Sequence, residues 1–279
     1  MKTIVVINDN SKEALHAAIL AFNIAEKVGA NLLISNEVKR DEPIVVEAKM
    51  LANQTRESGH SEEPVYDLSE HLKGLYDADA VFIPEVMEMD ISDFTEEELS
   101  RFVISHNIWM MVAGAHELSV KGIAGPYINL QSVLNRVMCP LLLVPEKSHF
   151  NAFQQIVYIA DLRYCRLQIV KYLAELALPY HANVLIDHIS AKGLPDMEEN
   201  YALRVFNEEV LEKVNYNQLL FNNIKERDLT KAVDVMIDGM DADLLVIVNH
   251  RFHFEEILGR YITNTLPAYV TIPLLIFPC

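Results

Sequence analysis

Two stretches of the chain occur twice at one fixed separation. Ile4-Val5-Val6-Ile7-Asn8-Asp9 is echoed by Ile156-Val157-Tyr158-Ile159-Ala160-Asp161, and Ala30-Asn31-Leu32-Leu33-Ile34 by Ala182-Asn183-Val184-Leu185-Ile186, both at an offset of 152. Equal spacing between two apolar runs in each half means two copies of one supersecondary unit, so the fold has to build that unit twice. Farther on, Met110 to His116 pairs with Leu245 to His250, and Pro140 to Pro145 with Pro273 to Pro278, at offsets of 134 and 133. The first copy therefore carries about 18 extra residues between Ile34 and His116; the polar stretch Gln54 to Pro64 is the expected place for much of them.

Each copy alternates strand and helix. Its short apolar runs lack period-2 alternation, which is how strands buried on both faces of a parallel sheet read. After the first strand, Asn10 with Glu13 three residues on reads as a capping box, and Leu15, Ile19, Phe22, Ala25 and Val28 recur at helical spacing up to Gly29. Val170, Leu173, Ala174 and Ala177 do the same before Pro179. Further helices are expected over Phe94 to Asn107 and Leu229 to Gly239. The pattern predicts an open parallel α/β sheet with right-handed crossovers in each copy, domain one over 1–147 and domain two over 152–279. Each last strand is very apolar and bracketed by prolines, and a bare edge of Leu141-Leu142-Leu143-Val144 would aggregate. The expected remedy is that the two copies cover each other's edges as an internal pseudo-dimer.

Composition narrows the function. Hydrophobic residues make up 51% and charged residues 23%, enough to bury a core and far from a disordered polymer. Apolar runs such as Ile108 to Ala115 are too short to span a bilayer. Lys+Arg 23 against Asp+Glu 40 leaves a net charge of -17, which repels phosphate backbones and anionic lipids, so neither nucleic acid nor membrane is an expected partner. Asn8-Asp9-Asn10 breaks the first apolar run before a secretory core forms. Cys139, Cys165 and Cys279 are far apart with no Cys-x-x-Cys pair, which fits reduced thiols in a cytoplasmic protein.

Two units that open Val-Val-Ile-x-Asp and close, after a Gly-x-His turn, in Cys-Pro-Leu-Leu-Leu-Val-Pro resemble the universal stress protein family in tandem form. The resemblance covers essentially the whole chain. It rests on Asp9 and Asp161 ending the first strands, Gly114-Ala115-His116 and Asn249-His250 ending the fourth, and Cys139-Pro140 and Ile272-Pro273 opening the fifth. It implies two five-stranded, Rossmann-like domains of adenine nucleotide alpha hydrolase type, with a site at the carboxyl ends of strands one and four. In nucleotide-binding relatives the turn after strand four reads Gly-x-x-Gly, nine residues, then Gly with Ser or Thr, which lets backbone N–H groups close on phosphates. Here Glu117 stands where the second glycine belongs and Tyr127 where the third falls, with Gly122 and Gly125 out of register. In the second copy Asn249 replaces the first glycine and Phe252 the next; Gly259 survives, followed by Arg260.

The candidate ligand residues are thus Asp9, Gly114, His116, Gly122 and Gly125 in the first copy and Asp161, His250, Gly259 and Arg260 in the second. Asp9 and Asp161 also read as helix caps. His116 and His250 occupy equivalent pocket positions, or are simply hydrogen-bonded turn residues. His188, His250 and His253 suggest a metal only superficially, since a tight site needs three or four convergent ligands, and no metal is expected. No Gly-x-Ser-x-Gly elbow, His-Glu-x-x-His run or Walker loop occurs, and Cys139, before a buried strand, is a poor nucleophile. The acids from Asp90 to Glu98 read as a helix start capped by Ser92 or Asp93, and Trp109 as sheet core. The resulting expectation is a non-catalytic cytoplasmic stress-response protein without a cofactor, binding a protein partner or small ligand, with further homo-oligomerisation left open. The alternatives are an ATP-binding protein with weak ATPase activity using Asp9, Gly114 and the Gly122 to Gly125 segment, and a domain that assembles with a transporter or kinase.

Overall fold

The computed structural model describes residues 1–37, 68–75, 81–117, 128–146, 148, 152–249, 253–263 and 265–279. The first copy supplies strands β1 (Lys2–Asn8), β2 (Ala30–Asn36), β3 (Val86–Asp90), β4 (Met110–Glu117) and β5 (Leu141–Pro145). The second supplies β6 (Gln155–Ala160), β7 (Asn183–Ile189), β8 (Leu219–Ile224), β9 (Leu244–Val248), the two-residue β10 (Thr265–Leu266) and β11 (Leu274–Phe277). They form one sheet in the order β3-β2-β1-β4-β5-β11-β9-β6-β7-β8, with β10 on the end of β4. Every pairing is parallel except one: β11 runs antiparallel to β5, Leu274 opposite Leu143 and Ile276 opposite Leu141. The two apolar edges therefore cover each other, as the edge argument expects. The short strand β10 is an addition to the expected five per copy; it pairs Thr265 and Leu266 with His116 and Glu117, carrying the second half onto the first.

Helices lie on both faces. Alternate residues of β1 point opposite ways, Ile4 and Val6 into a layer formed with α1 (Lys12–Val28), α2 (Leu68–Lys73), α5 (Leu167–Ala177) and α6 (Glu199–Glu209). Val5 and Ile7 face the other layer, with α3 (Glu96–Ser105), α4 (Leu130–Leu134), α7 (Leu229–Asp234) and α8 (Phe254–Leu258). A π turn, Val235–Gly239, continues α7 to the expected end of that helix. Among the described residues no helix is long and apolar enough to cross a membrane. The extra-residue stretch around Gln54 to Pro64 lies outside the described residues.

Two helix starts differ from the expectation. Asn10 is at φ +63°, a left-handed conformation that an N-cap does not take; Ser11, extended at φ -79°, caps α1 by accepting from Ala14 N. Asn8 holds Asn10 in place, its Oδ1 accepting from Asn10 N at 3.1 Å. For α3 the cap is Thr95 rather than Ser92 or Asp93, because only Thr95 stands three residues before a glutamate that bonds back: Thr95 N donates to Glu98 Oε2 at 2.9 Å. Ser92 instead donates its N–H to Asp90.

Candidate functional site

At the carboxyl end of β4 the chain packs tightly on itself. A Cβ built on Gly114 would lie 2.4 Å from the Glu13 carbonyl carbon and 2.6 Å from Ala14 N, so a side chain is excluded by the first turn of α1 rather than by room left for a ligand. That close approach brings Glu13 Oε1 to 2.7 Å from His116 Nδ1, with both side chains largely buried. Asp9 is partly buried and does not cap α1, as the sequence suggested it could; it sits in the turn before Ser11, its Oδ1 accepting from Ser11 N at 3.0 Å. Beside this pair is a cleft of about 170 Å³, with Glu13, His116 and Glu146 on one wall and Leu266, Pro267 and Ala268 from the second half on the other. No Lys or Arg is among the described residues that line it. Gly122 and Gly125 lie outside the described residues.

In the second half the ladder corrects one alignment. Ile4 faces Met110 across β1 and β4, and Ile156 faces Leu244 across β6 and β9, so Gly114 corresponds to Val248 and Ala115 to Asn249. A buried valine, not Asn249, replaces the glycine. With that side chain in the way, the turn equivalent to the start of α1 is a separate 3₁₀ turn, Leu162–Tyr164, and α5 begins only at Leu167. Asn249 is engaged elsewhere. Its Nδ2 donates to Asn135 at 2.9 Å and its Oδ1 accepts from Gln131 at 3.3 Å, joining the end of β9 to α4 of the first half. Ile262 N donates to Gln131 Oε1, closing this amide network.

Asp161 is fully committed. Its side chain is wholly buried; Oδ1 accepts from Arg163 N at 3.1 Å, and Oδ2 from Ala191 N at 2.9 Å and from Arg163 Nη1 at 2.9 Å. His188 Nδ1 accepts from Leu162 N at 3.0 Å and His253 Nε2 donates to the Ile189 carbonyl at 3.0 Å. Burial holds both imidazoles below the usual histidine range, opposed by the nearby Asp161 carboxylate. The free space at the carboxyl ends of β6 and β9, between Asp161, Val248 and His253, is about 20 Å³, room for a single water. Asp187, next to His188, is buried, and this raises its carboxyl pKa to about 7 against a weaker opposing bond from Asn222. Gly259 ends α8 at φ +82°, and its N–H bonds back to Glu255; Arg260 follows, exposed. His250 lies outside the described residues.

Chemically these groups bind one another. Burial pushes the Cys139 and Cys165 thiols up to about 12, so both stay protonated at neutral pH. Among the described residues no three His, Cys, Asp or Glu side chains are grouped to hold a metal ion. Trp109 is partly buried and packs against the core, as expected, stacked on Tyr172. Sequence reading missed Glu13, Arg163 and Asn249 as partners. The i, i+2 spacing of Asp161 and Arg163 was the one local signal; the other pairings join residues about a hundred positions apart.

No protein-family model and no curated protein matches the sequence. Solved structures do match. A universal stress protein from Archaeoglobus fulgidus DSM 4304 is similar over 99% of this chain and 98% of its own, at 14% identity and a TM-score of 0.57. A functionally unknown protein from Pseudomonas aeruginosa PAO1 is similar over 100% and 92%, at 13% identity and 0.51. The cytoplasmic domain of a prokaryotic cation chloride cotransporter is similar over 99% and 94%, at 7% identity and 0.52. The likeness is one of fold: this chain has the tandem α/β architecture of universal stress protein structures.

Proposed function

We propose that the chain is a non-catalytic binding module of universal-stress architecture, acting in the cytoplasmic stress response through a protein partner or a small ligand, with strand ends that no longer take adenine nucleotide. The observation that carries this is the closure of the second-half strand ends: Asp161 spends both oxygens on three donors of its own chain, and about 20 Å³ is free beside it. Ligand pockets run to roughly 300–1,000 Å³. In the first half the acidic pair Glu13 and Glu146 lines a cleft with no Lys or Arg among its described residues, which repels a triphosphate. A fold that also forms a cotransporter's cytoplasmic domain supports a role carried by contacts rather than turnover.

Unfolding by urea with and without magnesium and ATP tests this reading. A genuine site at a hundredfold excess over its dissociation constant adds about 2.7 kcal/mol. The expected result is an unchanged midpoint; a shift of that size removes the proposal.

A further inference from the structure

We propose that a second cavity, at the amino ends of β4 and β5 where the two halves meet, binds a small aryl carboxylate. This goes beyond the reading above, since the cavity lies away from the strand-end clefts and neither result decides the other. Its free volume is about 310 Å³, within the range of small-molecule sites. Both halves build it: Trp109 and Pro140 from the first, Ile169, Tyr172 and Phe277 from the second. The aromatic wall is rigid. Trp109 stacks on Tyr172 at 4.7 Å, Tyr172 meets Phe277 edge-on at 5.2 Å, and the Tyr172 hydroxyl donates to the Trp109 carbonyl at 3.1 Å. A preformed apolar wall costs little ordering when a flat apolar body settles against it.

The rim selects charge. Its polar members, Asn107, Arg166 and Gln168, carry donors, and no Asp or Glu is among the described residues that line the cavity. Arg166 Nη1 donates to the Pro278 carbonyl at 3.1 Å and Nη2 approaches Cys279 Sγ at 3.8 Å, which fixes the guanidinium with donors to spare. Among the described residues no carboxylate lies within ion-pair distance of it, in a chain with 40 acidic side chains. The neighbouring cation, Lys2, is already paired with Glu175 at 2.9 Å and sits over the Trp109 ring. An apolar wall with one guanidinium at its rim that is in no ion pair among the described residues fits a molecule that is flat at one end and a carboxylate at the other.

Trp109 is the one tryptophan of the chain, so its emission reports on this cavity. Phenylacetate and its neutral isostere phenylacetamide are titrated into the full chain at physiological ionic strength. The expected result is a saturable change with phenylacetate and binding about tenfold weaker for the amide. Arg166→Gln brings the acid down to the amide's affinity, while Arg260→Gln leaves the preference in place. No saturable response up to about 10 mM phenylacetate, equal affinities in the wild-type chain, or a preference that survives Arg166→Gln overturns the proposal. Should Arg166→Gln not fold, the acid-against-amide comparison on the wild-type chain decides alone.

Discussion

The fourth strands of the two halves occupy the same place in the same topology and end differently. At the end of β4 Gly114 lets α1 lie directly on the strand, and the helix brings Glu13 to His116. At the end of β9 Val248 fills that space, the helix starts later, and Asp161 is locked by Arg163 and Ala191 instead. One small side chain thus selects between two ways of closing the same cleft: a carboxylate swung in from the helix, or a carboxylate pinned in the turn.

Swapping the two residues tests that cause. Gly114→Val forces a branched side chain into backbone at 2.4 Å, and we expect a loss of more than about 3 kcal/mol in urea unfolding. Val248→Gly removes buried apolar volume and frees the backbone, at a cost of about 2–3 kcal/mol. A Gly114→Val variant no less stable than Val248→Gly would break the comparison.

A second contrast lies one strand over, where Asp187 corresponds to Ser35 at the 152-residue offset. Because burial raises the Asp187 pKa to about 7, the folded chain keeps a proton that the unfolded chain releases near the ordinary carboxylate range. Its contribution to stability is full at low pH and is lost as the pH climbs toward about 7, at about 1.4 kcal/mol per unit. Asp187→Ser should therefore gain on the wild-type chain by roughly 3 kcal/mol between pH 5 and pH 8. A constant difference across that range contradicts the burial argument.

The third contrast is between the two strand-ending aspartates. Asp161→Ala strands the buried Ala191 N–H and removes one of the bonds of the Arg163 guanidinium, which keeps the Pro195 carbonyl, and should cost about 2–3 kcal/mol. Asp9→Ala removes one bond in a partly exposed turn and should cost less than about 1 kcal/mol. Equal losses in denaturant titrations would mean that the two turns are closed alike.

What the sequence made legible follows from the range of the forces. The repeat, the doubly buried strands and the bodies of α1 and α5 were readable because burial on both faces leaves runs such as Ile4 to Ile7 with no choice of side chain. That the two last strands cover each other was readable because an apolar edge has few remedies; the antiparallel sense of the seam was not. Caps were misplaced because Asn10, Ser11, Ser92, Asp93 and Thr95 all carry acceptors, and the backbone conformation selects among them. β10, two residues long, has no periodicity to read. The exchange of Gly114 for Val248 rather than Asn249 follows already from the 134-residue offset that pairs His116 with His250, and the strand ladder fixes it. The commitment of Asp161 depends on Ala191, thirty positions away, and a backbone N–H leaves no trace in a sequence.

The most direct test is calorimetric. Full-length chain is titrated with ATP in the presence of magnesium, up to millimolar nucleotide. The account predicts only heats of dilution, because Asp161 is already bonded within its own chain and the first-half cleft is lined by Glu13 and Glu146. A one-site isotherm with a micromolar dissociation constant would contradict it.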